Sequence, residues 1–196
     1  MSGNPTIDDL VGELARIRSR GGIPLFHGTG RRFERFGIDP ARCGPYPNSP
    51  LGIHLSSDPF VALDYAGIGG GDGAVLLVEV PRGTFGLIGD RDAYIDMTGE
   101  DLRKILGQGP KLSGLVADEL GDDLNGAGFI FDPEAVRIVS RMDASLVRED
   151  LDRDIAGQGS RLLAALREHP PWDGAEWVAI DWPVPEAGDC EMDGCC

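Results

Sequence analysis

"IPLFHGTGRRFERF" (residues 23–36) is the stretch on which the reading of the fold turns. A short apolar strand ends at His27, Gly28-Thr29-Gly30 follow, and two phenylalanines three apart, Phe33 and Phe36, come next. A histidine-glycine pair at a strand end is open to two readings. It can be ordinary packing, or it can be backbone kept bare for a flat ligand, because glycine leaves its own N–H and C=O unobstructed by a side chain. A carboxamide gripped by two main-chain hydrogen bonds is one such ligand. The second reading needs partners elsewhere in the chain.

The next strand and helix supply candidates. "GIHLSSDPFVALDYA" (52–66) reads as a strand carrying His54, then a helix capped by Ser57 or Asp58, with Pro59 in the first turn, where its missing N–H does no harm. Eleven residues separate His54 from Tyr65, enough for the chain to leave the strand, turn at Asp58-Pro59 and return a helical aromatic beside the strand. Two flat rings then stand ready to sandwich a third. Taken alone, a histidine on a short strand is more often a satisfied core or turn residue, and a helical tyrosine is more often packing. Order and spacing are what join them.

The surrounding pattern is mixed helix and strand. Ile7, Leu10, Val11, Leu14 and Ile17 recur at helical spacing, with Thr6 or Asp8 as the cap, and Gly21-Gly22 ends that helix. "DPARCGPYPNSP" (39–50) is a proline-rich loop, and "GIGGGDG" (67–73) is a flexible turn, since it matches no phosphate-binding glycine register. "AVLLVEVP" (74–81) is a strand stopped by Pro81, and "MTGEDLRKILG" (97–107) is a helix in which Thr98 and Asp101 form the cap. "LSGLVAD", "GFIFDP" and "EAVRIVSRM" read as further short strands. Strands and helices do not alternate in a βαβ rhythm, which argues against a doubly wound parallel sheet.

Three regions are expected: an N-terminal helix over 1–20, a core over 21–142, and a C-terminal extension over 143–196. The extension reads as a charged linker, a helix at about 160–168, and a tryptophan-rich strand whose Trp172, Trp177 and Trp182 pack rather than form a ligand cage. Cys190, Cys195 and Cys196 fall in a free, disordered tail. With Cys43 they include no C-x-x-C pair, so no disulfide scaffold or metal site is indicated. Cys43 in its loop reads as a bystander rather than a nucleophile.

Bulk properties narrow the classes. A net charge of −15 repels phosphate backbones at long range and disfavours a nucleic-acid partner. No apolar run approaches the roughly 20 residues of a membrane helix, and the N-terminal segment has no secretory pattern, so the expected address is the cytoplasm, without a membrane. Two lysines, Lys104 and Lys111, among 18 basic residues suggest a GC-rich bacterial or phage genome.

In order, "HGT" with Phe33 and Phe36, "GIHLSSDPFVALDYA", the strand-proline pattern "LLVEVP" with a helix after it, and "FDPEAVRIV" resemble the ADP-ribosyltransferases of the diphtheria-toxin and poly(ADP-ribose)-polymerase type. The likeness spans about residues 21–140 and is nearest to the transferase domains of phage polyvalent proteins. It implies an α+β fold, with split antiparallel β-sheets around an NAD cleft and flanking helices, and NAD as co-substrate. In that resemblance His27 hydrogen-bonds a ribose hydroxyl, Gly28 holds the nicotinamide carboxamide through its backbone, and Tyr65 stacks on the nicotinamide. Thr29 and Gly30 shape the pocket floor.

The chain departs from the family pattern twice. His54 stands where the second motif has tyrosine, as it does in the tRNA 2'-phosphotransferases of the same fold. Ala127 stands where active transferases carry a glutamate. Cleaving the glycosidic bond of NAD builds positive charge on the ribose, so losing that carboxylate costs on the order of a hundredfold or more in rate. Among possible replacements, Glu119, Asp122, Asp123 and Glu134, the reading selects Asp123. The candidate catalytic residues are therefore His27, His54 and Asp123, and the candidate cofactor-binding residues are His27, Gly28, Thr29, His54 and Tyr65.

The function this implies is NAD-dependent mono-ADP-ribosylation of a protein acceptor, in keeping with a bacterial or phage effector or toxin. Two alternatives stay open. One is an inactive module of the same fold that binds NAD, ADP-ribose or a protein partner. The other is an RNA 2'-phosphotransferase-like enzyme, which needs an arginine-lined phosphate pocket, with Arg31, Arg32 and Arg42 as the nearby candidates.

Overall fold

The computed structural model describes residues 5–37, 52–67, 73–88, 97–108, 111–118 and 126–180. The proline-rich loop, most of the glycine run and all four cysteines lie outside these, as do Trp182, Glu119, Asp122 and Asp123. Helix α1 (Ile7–Ser19) forms where the apolar spacing puts it, with Leu10, Leu14 and Ile17 as its buried stripe. Thr6 caps it reciprocally: the Asp9 N–H donates to Thr6 Oγ1 at 3.2 Å, and the Thr6 N–H donates to Asp9 Oδ2 at 2.8 Å.

Strand β1 (Ile23–Thr29) carries the His-Gly-Thr into the ladder, two residues beyond the apolar run itself. Next come β2 (Ile53–Ser56), α2 (Pro59–Gly67), β3 (Ala74–Val80), β4 (Thr84–Ile88), α3 (Gly99–Gln108), β5 (Gly114–Asp118), β6 (Gly126–Ile130), a 3-10 turn (Pro133–Ala135) and β7 (Arg137–Asp143). The chain continues through α4 (Ala144–Ile155), α5 (Arg161–Glu168) and β8 (Glu176–Ala179). All strands belong to one sheet in the order β7-β3-β1-β2-β6-β5-β4-β8, so the fold is α+β.

The described strands form one sheet where split antiparallel sheets were expected, and two further parts differ from the sequence reading. Strand β4 was not expected, because Gly86 interrupts a five-residue run too short to show alternation. It pairs in parallel with both β5 and β8, so the sheet is not wholly antiparallel. The connection between β4 and β5 passes through α3, as a parallel neighbour requires. The second difference is α4, expected as charged linker. Val147 and Leu151 are its buried apolar positions, four apart, and four-residue spacing within so many charges is enough to seat a helix once tertiary contacts supply the rest. Asp150, 2% exposed, then fixes the α4–α5 corner. Its carboxylate accepts from Ser160 Oγ at 2.6 Å, the Leu162 N–H at 3.0 Å and the Arg161 N–H at 3.2 Å, satisfying donors at the start of α5.

The sheet is unevenly joined. β1 and β3 are registered over seven consecutive pairs, Ile23↔Val80 to Thr29↔Ala74, whereas β1 and β2 share a single registered pair, Phe26↔Ser56. This seam divides the sheet into a three-stranded antiparallel part and a five-stranded mixed part.

The cores follow the two faces. On the helical face, Phe26, Val75 and Leu77 pack against α1, α2, α4 and α5. Beyond the seam on that face, Leu115 and Ala117 pack with Leu102 of α3, Met97 and Ile88. On the opposite face one cluster crosses the seam, joining Leu25, Leu76 and Val78 to Leu55, Phe85, Val116 and Ile130. Trp172 and Trp177 pack beside Phe85 there, with ring centroids 5.5 Å and 6.0 Å from it.

Candidate functional site at the seam

His27 and Gly28 alternate across the strand, as consecutive residues must. Gly28 faces the helices: a Cβ built on it would lie 1.7 Å from the Ala62 carbonyl oxygen and 2.7 Å from the Ala66 nitrogen. Only glycine lets α2 sit this close. His27 projects to the other face, where Phe36 and Phe33 meet its ring edge-on, with centroids 5.1 Å and 6.1 Å away and interplanar angles of 88° and 69°.

The segment that brings in these phenylalanines is tied down. The Arg31 N–H donates to Thr29 Oγ1 at 3.0 Å, and an Arg141 guanidinium nitrogen donates to the Arg31 carbonyl at 3.0 Å. Thr29, 8% exposed, thus spends its hydroxyl on turning the chain. The F-x-x-F spacing was visible in the sequence. Its role as an imidazole clamp was not, because it depends on Arg141, more than a hundred residues away.

At the seam, His27 Nδ1 lies 3.0 Å from the His54 carbonyl oxygen. A continued β1–β2 ladder would set Gly28 beside His54, given Phe26↔Ser56. The imidazole reaches that carbonyl instead. The His54 side chain shares the helical face with Phe26 and Ser56, since directly paired residues of an antiparallel ladder point the same way. The two histidines therefore lie on opposite faces and meet through one backbone carbonyl.

Burial pushes the His54 imidazole down to about 4, and charge on His27 acts in the same direction. His27 is also lowered by burial, against the His54 carbonyl, which favours its charged form. Both shifts favour the neutral ring.

Tyr65 sits on the turn of α2 that covers Gly28 and is 54% exposed. Leu63 lies on the buried flank of that helix and Tyr65 on the other, by the 100° step between residues. The helix start is fixed as the sequence indicated, the Phe60 N–H donating to Asp58 Oδ1 at 2.8 Å. Position 127 is registered opposite Ser56, and Phe129 opposite His54. The residue at 127 is alanine, which supplies no carboxylate. Glu134 is exposed in the 3-10 turn before β7, where Arg137 pairs with Glu79, itself registered with Pro24, and so stands at the Ile23 end of β1, away from His27. Arg31 and Arg32 are exposed, and Arg42 lies outside the described residues.

Among the described residues no three histidine, cysteine, aspartate or glutamate side chains are grouped to hold a metal ion. No helix among them is long and apolar enough to cross a membrane. No protein-family model matches the chain, and none of the curated proteins is detectably similar to it.

Proposed function

We propose that this protein binds NAD at the β1–β2 seam and acts as a mono-ADP-ribosyltransferase on a protein acceptor. The observation that carries the reading is the contact of His27 with the His54 carbonyl across a sheet joined there by one registered pair. It sits beside a glycine against which α2 packs backbone to backbone, one residue from the exposed Tyr65. In this reading the ligand passes through the seam: the Gly28 main chain reads the carboxamide, Tyr65 and His54 offer ring surface to the nicotinamide on the helical face, and His27 takes a ribose hydroxyl on the other face. Asp123 is the carboxylate assigned to the developing ribose charge. A net charge of −15 supports a protein over an RNA acceptor.

Alanine at 127 favours a second reading, a module that binds NAD or ADP-ribose without turnover. Incubating the protein with labelled NAD and bacterial lysate separates the two, with His27→Ala as control. Transfer of label that His27→Ala abolishes supports the enzyme, and Asp123→Asn should then lower the rate by about a hundredfold. Calorimetric NAD binding without transfer or hydrolysis supports the binding module. Absence of NAD binding overturns both.

A further inference from the structure

His27 is held by more than its backbone. A carbonyl oxygen only accepts, so the 3.0 Å contact with the His54 oxygen requires the proton to be on Nδ1. With the ring neutral, Nε2 then carries a lone pair. Two edge-on phenylalanines, themselves 5.2 Å apart at 66°, restrict rotation of the imidazole about its Cβ–Cγ bond. That rotation would put the Cδ2 carbon where Nδ1 stands and so release the proton from the His54 carbonyl that selects the tautomer. Thr29 and Arg141 in turn hold the Arg31 backbone, and with it the segment bearing the clamp.

We infer that Phe33 and Phe36 are positioning residues that lock His27 as the Nδ1–H tautomer, so that the seam presents a hydrogen-bond acceptor at Nε2 and selects a ligand group that donates, such as a sugar hydroxyl. A phosphate or carboxylate at the same place brings no proton to that lone pair. The ligand class rests on the proposed NAD reading, whereas the lock itself does not.

Long-range nitrogen–proton NMR correlations of the ¹⁵N-labelled full chain at pH 7 test the lock directly. His54→Gln and His169→Gln variants assign the three histidines. His27 is expected to show a protonated Nδ1 and a bare Nε2. Phe36→Ala should give averaged signals from both tautomers, and Phe36→Tyr, which restores a ring, should return the single form. A wild-type spectrum with the proton on Nε2 overturns the inference, and needs no variant to fold.

Calorimetric titration with NAD is the second arm. Binding should weaken about fivefold in Phe36→Ala and recover in Phe36→Tyr. Equal affinity in all three overturns the positioning role. If the wild type shows the Nδ1–H form but binds no NAD, the proposed function falls while the lock stands. If NAD binds and the proton is on Nε2, the function survives and the lock falls.

Discussion

On one side of β1 the ladder to β3 runs unbroken over seven pairs beneath four helices, and on the other side a single pair leads to β2. The first region is built as ordinary globular interior, with Leu14, Ile17 and Leu77 at 0% exposure. At the seam, a side chain has taken a carbonyl that a continued ladder would have engaged. Closing the ladder would satisfy the same groups with no special residues, so an open seam flanked by His27, Gly28 and His54 is a place where regular pairing has been given up.

The largest effect should come from closing the gap between β1 and α2. Gly28→Ala puts a methyl group 1.7 Å from the Ala62 oxygen, which is backbone and cannot swing aside. The helix must move as a body, and we expect a loss of about 4 kcal/mol or more in urea unfolding. A loss below about 1 kcal/mol would mean that α2 is loosely seated and that the seam needs no glycine.

Next comes Leu151→Ala, which tests whether α4 is part of the helix-covered region. Leu151 is 0% exposed within the cluster of α1, α2 and α5. Truncating it should cost about 3 kcal/mol, read from the same denaturation curve. An unchanged midpoint would make α4 a dispensable appendage.

These two sites also show what the sequence could reveal. α1, α2 and α3 were legible with their starts, since Thr6 or Asp8, Ser57 or Asp58 before Pro59, and Thr98 with Asp101 are local signals, of which the structure uses Thr6, Asp58 and Thr98. α4 was hidden because its buried face is narrow and its other positions are charged, so tertiary contacts rather than period decide it. β4 was hidden because a five-residue strand around Gly86 carries no pattern of its own. In the site, the juxtaposition of His27 with His54 could be anticipated from their places in order. The opposite faces of the two rings could not, since only the register Phe26↔Ser56 sets them.

Acid should affect the seam before it affects the ion pairs. Both His54 and His27 have folded values below the ordinary 6.5, that of His54 being about 4. The unfolded chain therefore binds more protons between about pH 6.5 and 4, so this contribution is full above 6.5 and is lost as pH falls through that window. For His54 the loss is about 2 to 3 kcal/mol. Asp9, Asp101, Asp154 and Glu79, held below their usual range, give up their contributions only below about pH 4 to 4.5. Urea unfolding at pH 7, 6, 5 and 4.5 should show wild-type stability falling more steeply than that of His54→Gln. Parallel slopes would place the titration elsewhere.

The smallest change asks whether the seam still transmits stability. Gly12 lies inside α1, and a Cβ added there meets nothing within 4 Å. Gly12→Ala should stabilise that helix by about 0.8 kcal/mol through backbone propensity alone. If the two regions unfold together, one thermal transition should rise by about 2 to 3 °C, because a gain anywhere in a cooperative unit is shared by all of it. The opposite-face cluster gives a reason to expect this, since Leu25, Leu76 and Val78 pack with Leu55 and Ile130 across the gap. Two separated transitions, of which only one moves, would show that side-chain packing under the seam does not replace the missing ladder.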